Sequence, residues 1–411
     1  MGVTPMEGHE VRLAVDQTIG GESNVFLSLT TPVAAGVYTL SPRIDAKGKL
    51  GGFVTGEYRA SYRPSYRVYF VNVGLDEFDN AVDGSVSLGL TRRDKLTAAA
   101  SYFNFNSLQA LAETNPDGSF DILASNRGRV VRASADVDYT RSLSQSEQFS
   151  LQGSFQDYGY ENSNNVGNKA LGFTASYTTA QSARLTLGGN LTARYRIFDD
   201  QQAVVASIPV EVKGSRVTLA NLNVLVSYAI SPTLNINFQG GPSLIRTVPG
   251  GIAGGPAGAS DNDFTYFASA SVAREFKESN MRLSYERSED PSGGLNRTSI
   301  SDTVLLRLSR RLGEEWGFSA AVGWSRRRAV DEFLVPGVVP GSFVPLSRQS
   351  RLDRAWGLAE ASRRLWKKFR ISLTLRYQRW IENSIGGVEQ PEQENYSGMM
   401  GFHYSFEPYV F

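Results

Sequence analysis

The chain contains no cysteine and only two histidines, His9 and His403. The absence of cysteine excludes disulfides, thiolate metal ligands and thiol nucleophiles. Two histidines are too few for a multi-histidine metal centre. We therefore expect neither a metal nor a cofactor.

The chain also lacks an excess of charge. Its 42 Lys and Arg residues are matched by 41 Asp and Glu residues, which gives a net charge of +1. Such a balance provides no field that would attract nucleic acid, so we expect no nucleic-acid partner.

Residues 1–10 have neither the basic segment nor the apolar run of a secretory signal peptide. The chain is therefore either not exported or a processed or trimmed form.

No apolar run is suited to a transmembrane helix. The uncharged stretch between Arg216 and Arg246 is long enough, but asparagines, Pro232 and a Gly-Gly-Pro sequence interrupt it. Read with a period of two, the stretch is regular. One face carries Leu222, Val224, Val226, Tyr228 and Ile230, and the other carries Asn221, Asn223 and Ser227. This alternation predicts amphipathic strands joined as a hairpin.

The same alternation recurs along most of the chain, in segments of the length that a tilted strand needs to cross a bilayer. It predicts an all-β fold, a single transmembrane antiparallel up-and-down β-barrel of about 18 strands. The predicted spans are 11–19, 36–47, 49–62, 82–92, 95–105, 129–142, 148–160, 170–180, 184–198, 217–230, 233–246, 263–275, 280–290, 299–311, 315–328, 352–365, 369–382 and 395–407. Residues 66–73 are either an additional strand or an extension of the third.

Tight and long connections alternate, as they do between the periplasmic and extracellular sides of outer-membrane barrels. The predicted tight turns lie at 46–49, 93–95, 144–146, 231–233, 277–279, 312–314 and 366–368, and the long loops at 106–128, 199–216, 247–262, 329–351 and 383–394. An even strand number places both termini in the periplasm. We expect residues 1–10 to form a short periplasmic segment and residues 11–411 the barrel, located in the outer membrane of a Gram-negative cell.

Aromatic residues cluster beside the tight turns, as in the girdle at a membrane interface. The predicted girdle consists of Tyr139, Phe149, Tyr228, Trp316, Trp366 and Phe369. The last strand presents Phe402, Tyr404 and Phe406 on one face, and the chain ends at Phe411. Together these four residues resemble the C-terminal assembly signal of outer-membrane barrels, although Pro408 shifts the phase of the alternation before Phe411.

A soluble β-sandwich is the main alternative, because its strands also alternate. Two features argue against it. Strands of ten or more residues exceed the usual length in soluble sheets, and a sandwich has no reason to alternate short and long connections.

The polar faces of the strands would line an aqueous lumen, which a barrel of this size contains. The predicted lining residues are Arg132, Asp136, Arg184, Asn190, Arg194, Arg196, Asn235, Asn237, Arg282, Arg307, Arg370 and Arg376. An excess of arginine would favour anionic solutes or sugar acids, because guanidinium groups bind carboxylates in a bidentate manner. Alternatively, the arginines pair with carboxylates and stiffen the wall. The apolar loop 329–351 either plugs the lumen or contacts a partner.

An enzymatic function is the weaker hypothesis. His403 and Ser405 share the inward face of the last strand, but the sequence assigns no polar residue to orient His403. We therefore predict no catalytic residues.

Several short strings suggest a family. They are Asn24-Val25-Phe26, Thr39-Leu40-Ser41-Pro42, residues 88–96 and residues 308–312. They resemble outer-membrane β-barrel proteins that are encoded with exopolysaccharide-export and exosortase systems. The resemblance implies a passive conduit for a secreted polysaccharide, a periplasmic polysaccharide-export protein as partner, and contacts with membrane lipid and lipopolysaccharide.

The sequence thus favours an outer-membrane channel for exopolysaccharide secretion. A general diffusion porin, or one that prefers anions or sugars, is the second hypothesis. A structural barrel with a closed lumen is the third.

Overall fold

The computed structural model describes residues 8–23, 34–51, 55–70, 76–106, 129–161, 166–205, 208–250, 260–290, 299–329, 333–336, 343–346, 351–383 and 393–410. Within these ranges no helix is long and apolar enough to cross a membrane. The strands are β1 (Glu10–Glu22), β2 (Ala35–Leu50), β3 (Thr55–Tyr69), β4 (Glu77–Gly89), β5 (Asp94–Asn106), β6 (Arg129–Ser142), β7 (Glu147–Glu161), β8 (Asn168–Ala180), β9 (Leu185–Phe198), β10 (Gln201–Val205), β11 (Ile208–Val212), β12 (Arg216–Ser231), β13 (Leu234–Val248), β14 (Asp261–Glu275), β15 (Ser279–Asp290), β16 (Ser299–Leu312), β17 (Trp316–Ala329), β18 (Phe333–Pro336), β19 (Phe343–Leu346), β20 (Arg351–Trp366), β21 (Phe369–Asn383), β22 (Gln393–Ser405) and β23 (Tyr409–Val410).

Eighteen of these strands, all but β10, β11, β18, β19 and β23, form one closed antiparallel barrel. Each barrel strand pairs with the barrel strands before and after it, and β1 closes the sheet by pairing with β22. Closure leaves no unpaired edge, so the backbone polar groups are satisfied within a hydrocarbon environment. The predicted fold class, including the strand number, is confirmed.

The outer face of the barrel is apolar. Along β9, Leu191, Tyr195 and Ile197 are exposed, whereas Arg196 and Phe198, which alternate with them, are buried. In β12, exposed Leu222 and Val224 flank the buried side chain of Asn223. Side chains of successive strand residues point to opposite faces, so the apolar set faces outward. An exposed apolar surface of this extent is a membrane-facing surface.

The tight turns lie at one end of the barrel, and most are close to the predicted positions. The predicted turn at 46–49 is wrong, because these residues belong to β2 and pair with β3 as far as Leu50↔Gly56. Gly48 does not make a turn. It makes room for two aromatic rings, since a Cβ there would lie 2.4 Å from the His9 Nδ1 and 2.6 Å from the Tyr58 ring.

Residues 66–69 extend β3 rather than forming a separate strand, because Tyr66 to Tyr69 continue its pairing with β2. Residues 71–73 lie outside the described part of the chain. Two of the predicted long loops contain short hairpins: β10 pairs with β11 in the loop after β9, and β18 pairs with β19 in the loop after β17.

The last strand, β23, pairs with β1 as β22 does, but the pairing is interrupted between them. Ser405 pairs with Ala14 of β1, and Tyr409 pairs with Val11 of β1. The end of the chain therefore has one more residue between these two pairs than β1 has. The extra residue shifts the phase around Pro408 and places Tyr409 on the outer face. The Phe402 ring stacks at 6.5 Å on Phe369, and the Tyr404 ring contacts Phe406 edge-on at 4.8 Å. Phe411 lies outside the described residues.

Candidate functional site in the barrel lumen

Most of the predicted lining residues occupy inward-facing positions. They are Arg132 and Asp136 on β6, Asn190, Arg194 and Arg196 on β9, Asn235 and Asn237 on β13, Arg282 on β15, Arg307 on β16, and Arg370 and Arg376 on β21. Arg184 is a correction. It lies in the exposed turn before β9, where the Ser182 Oγ accepts hydrogen bonds from the amides of Arg184 and Leu185 at 3.2 and 3.1 Å. Because the Ser182 hydroxyl caps this turn, β9 begins at Leu185, one residue later than predicted.

Two of the predicted arginines share one carboxylate across the lumen. Arg196 Nη1 donates to Glu289 Oε1 at 2.6 Å, and Arg194 Nη1 donates to Glu289 Oε2 at 3.5 Å. The Arg196 and Glu289 side chains are only 1% and 3% exposed. Strands β12, β13 and β14 separate β9 from β15 in the wall, so this ion pair ties two distant parts of the barrel together. For these two arginines, the geometry favours the stiffening alternative.

Glu289 enters the lumen because the sheet is interrupted beside it. Pairing between β14 and β15 stops at Ala268↔Arg287, whereas pairing between β15 and β16 continues to Asp290↔Ser299. Residues 288–290 of β15 are therefore not paired with β14, and the Glu289 side chain reaches Arg196 inside the barrel. Sequence alternation alone would place Glu289 on the opposite face from the inward-facing Glu286, which explains why the sequence did not reveal it.

An apolar cluster occupies part of the lumen, where the sequence predicts the polar faces of the strands. It consists of Val166, Phe198, Val217, Leu219, Ile245 and Phe267, with Ile300 packed against it. These side chains come from the long-loop ends of neighbouring strands and from the segment before β8. The inward positions there are apolar because they form a packed core rather than a water-filled wall.

A recess of about 430 Å³ lies beside this cluster. Its lining includes four amide side chains, four hydroxyl groups, two carboxylates and two guanidinium groups, contributed by Asn190, Asn221, Asn223, Gln239, Thr174, Thr192, Ser269, Ser288, Glu286, Glu289, Arg194 and Arg287. Leu219 and Phe267 supply an apolar floor. The sequence predicted Asn190 and Arg194 as lining residues but not that strands β8 to β15 converge on a single recess.

Hydrogen bonds fix the amides of the recess. Asn223 Nδ2 donates to Asn190 Oδ1 at 2.9 Å, and Ser243 Oγ donates to Asn221 Oδ1 at 2.5 Å. The buried Asn223 Oδ1 has no hydrogen-bond partner among the described residues. The recess therefore holds amides in fixed orientations and one buried acceptor that lacks a donor.

A second group of charged side chains lines the part of the lumen formed by β17, β20, β21, β1, β3 and β4. Arg354 is buried, and the charges that act on it include Arg376 and Arg327. The charges that act on Glu22 include Arg67, Arg376 and Glu77. Only Arg376 of these was predicted, although the alternation within β17 and β20 would have indicated Arg327 and Arg354.

The predicted girdle residues lie near the tight-turn end on the outer face. The Tyr139 hydroxyl donates to Asp94 Oδ1 at 2.7 Å. The ring of Trp316 stacks on Phe318 at 6.0 Å, and Trp366 contacts Phe369 at 5.4 Å. Phe149 pairs with Arg141 and Tyr177, and Tyr228 is exposed.

His403 has a partner that the sequence did not assign. Its Nδ1 lies 2.5 Å from Asp16 Oδ1, and both side chains are partly open to the lumen. Asp16 belongs to β1, 387 positions away, so only the closure of the barrel brings the two together. The Ser405 Oγ donates to the Phe406 carbonyl at 3.5 Å. No group of three potential metal ligands occurs in the part of the chain that the structure describes.

Comparison with solved structures supports the architecture. The FrpB iron transporter from Neisseria meningitidis has a TM-score of 0.50 at 7% identity, over 96% of this chain and 81% of that one. The chain has the fold of an outer-membrane β-barrel.

Two further solved structures have lower scores. The ferric-catecholate import receptor Fiu from E. coli K12 has a TM-score of 0.48 at 10% identity, over 96% of this chain and 81% of that one. OccAB3 from Acinetobacter baumannii has a TM-score of 0.46 at 8% identity, over 97% and 99% of the two chains. No protein-family model matches the chain, and no curated protein matches it.

Proposed function

We propose that this barrel is an outer-membrane channel through which a polysaccharide is secreted. The observation that carries the proposal is the amide-rich recess in the wall of an eighteen-strand barrel. Sugar hydroxyl groups both donate and accept hydrogen bonds, and amide side chains do the same. An aqueous lumen is usual for barrels of this strand number.

Transport through such a channel is passive. Inward hydroxyl, amide and guanidinium groups exchange hydrogen bonds with the passing sugar, and synthesis or periplasmic machinery supplies the drive. The tight-turn end, where Glu10 pairs with Val410, would dock a periplasmic polysaccharide-export protein. At the long-loop end, outward Lys169, Arg216 and Arg246 lie on β8, β12 and β13. Their positive charges suit the phosphate groups of lipopolysaccharide.

Deletion of the gene tests the export function. We expect loss of surface polysaccharide with unchanged uptake of small solutes, and recovery when the wild-type gene is supplied on a plasmid. Normal surface polysaccharide in the deletion strain would overturn the proposal. Purified barrel should also bind the secreted polymer, or fragments of it, in detergent.

A diffusion channel that prefers anions is the second candidate. The inward-facing Arg67, Arg327, Arg354 and Arg376 favour it, because they outnumber the carboxylates of Glu22 and Glu77 in the same group, and an excess of guanidinium groups in a lumen attracts anions. Reversal potentials across a planar bilayer with a salt gradient measure this preference. Strong anion selectivity together with normal surface polysaccharide in the deletion strain would favour the diffusion channel.

A further inference from the structure

The amide recess combines three features that together specify a ligand. Asn223 is 4% exposed, and its Oδ1 has no partner among the described residues, although its Nδ2 is already bonded to Asn190. A buried acceptor left without a donor costs free energy, so the site is completed by a donor from a ligand or from water. The volume of about 430 Å³ falls in the range of small-molecule sites.

The apolar residues of the recess restrict which kind of ligand could supply the missing donor. Leu219 and Phe267 are both buried and line the recess together with the amides. A ring with hydroxyl groups at its edge and C–H groups on its face matches such a floor, because the face packs on Phe267 while the edge reaches the amides. A sugar ring has this shape.

The charges of the recess disfavour an acidic sugar. Arg194 and Arg196 are both paired with Glu289, and Glu286 adds a second carboxylate to the lining. The two carboxylates offset Arg194 and Arg196. Arg287, which also lines the recess, is paired with Asp302 at 3.0 Å, so no net positive charge remains to attract a carboxylate. Glu286 would also repel it.

We infer that this recess is a binding subsite for one or two rings of an uncharged saccharide, recognised by Asn190, Asn221, Asn223 and Gln239. The inference deepens the proposed function and rests on it for the source of the ligand. It also reverses the expectation that Arg194 and Arg196 make the lumen selective for anionic sugars.

Titration calorimetry of the full-length barrel in detergent tests the subsite. The probes are two uncharged oligosaccharides, maltohexaose and chitohexaose, and one anionic oligosaccharide, hexagalacturonate. We expect at least one uncharged probe to bind more tightly than hexagalacturonate. Asn223→Leu should weaken that binding roughly tenfold, because it removes the acceptor and the anchor of Asn190.

The matched control is Gln152→Leu, which replaces an inward-facing amide of β7 outside the recess and should leave the binding unchanged. Folding of each variant is checked by its gel mobility before and after heating. If Asn223→Leu does not fold, Gln239→Leu at the half-buried edge of the recess replaces it, with the same expected loss.

The inference is overturned if neither uncharged probe binds, if hexagalacturonate binds most tightly, or if the recess variants bind like the control. Its failure can be separated from failure of the proposed function. If the deletion strain loses surface polysaccharide but the recess variants bind as the wild type does, the export function is supported and the subsite is not. Weakened binding with normal surface polysaccharide leaves only the subsite standing.

Discussion

At the residue scale, Glu289 is the residue whose charge we expect to affect the stability of the barrel most. Replacing it by Gln leaves the guanidinium of Arg196 buried without its counter-charge. We expect Glu289→Gln to lower the free energy of unfolding by about 3 kcal/mol, since removal of one partner leaves the other charge buried and unpaired. Urea unfolding in lipid vesicles measures the effect. The control is Glu286→Gln on the same strand, whose side chain is exposed in the lumen. Equal stability of the two variants would contradict the prediction.

Gly323 is the second residue with a specific prediction. A Cβ at this position would lie 2.3–2.4 Å from three atoms of the Trp356 indole ring, whereas a Cβ at Gly357 would meet nothing within 4 Å. Gly323→Ala therefore forces Trp356 out of its place. We expect a cost of about 1–3 kcal/mol in unfolding free energy and a shift in tryptophan fluorescence. Gly357→Ala, one position after Trp356, should show neither change.

Alternation in the sequence predicts which face a residue occupies but not what it meets there. Arg194 and Arg196 could be placed inside from β9 alone. Their partner Glu289 could not, because an interruption of pairing four strands away turns it inward. The apolar cluster was missed for a related reason. Val217 and Leu219 alternate with Thr218 and Ala220, so both faces of that part of β12 are weakly polar or apolar.

At the element scale, the loop after β9 is closed by a pH-dependent pair. Asp200 Oδ2 accepts a hydrogen bond from Lys213 Nζ at 2.8 Å, and its Oδ1 accepts one from the Gly214 amide at 2.8 Å. The Lys213 ammonium, followed by the Gly214 amide, lowers the pKa of Asp200 below its usual value. Because the folded pKa is depressed, this contribution is present above the unfolded pKa of about 3.9. It is lost as the pH falls through the folded value.

Hydrogen exchange of the Gly214 amide measures this closure. After correction for the intrinsic rate, we expect steady protection at neutral pH and a decline below about pH 4. Asp200→Ala should remove the protection at every pH. Lys213→Met keeps the backbone bond and should move the decline to higher pH. Protection that is the same in all three proteins would refute the role of the pair.

The strands themselves were largely predictable, because each one repeats the same alternation over ten or more residues. The exceptions have local causes. Residues 46–49 contain the small and charged residues of a turn, but Gly48 serves the packing of His9 and Tyr58. The hairpins β10–β11 and β18–β19 are too short for their alternation to stand out from a loop.

At the scale of the whole molecule, closure creates contacts that no local pattern contains. Asp16 and His403 meet only because β1 pairs with β22. The strand number and the alternation of turns and loops implied that the ends would meet. The register that sets Asp16 opposite His403 depends on the summed stagger of eighteen strands, which the sequence does not reveal.

The membrane-facing exterior and the aqueous interior lead to the last prediction. Leu375 and Thr374 are neighbours in the middle of β21, and Leu375 faces outward with 54% of its surface exposed. Leu375→Arg places a charge in the hydrocarbon and should cost about 2–4 kcal/mol of unfolding free energy in vesicles. Thr374→Arg points into the lumen, where water and Glu360 on the paired strand can solvate the guanidinium, and should cost less than about 1 kcal/mol. Equal costs for the two variants, or a greater cost for Thr374→Arg, would mean that the lipid-facing and water-facing sides have been assigned incorrectly.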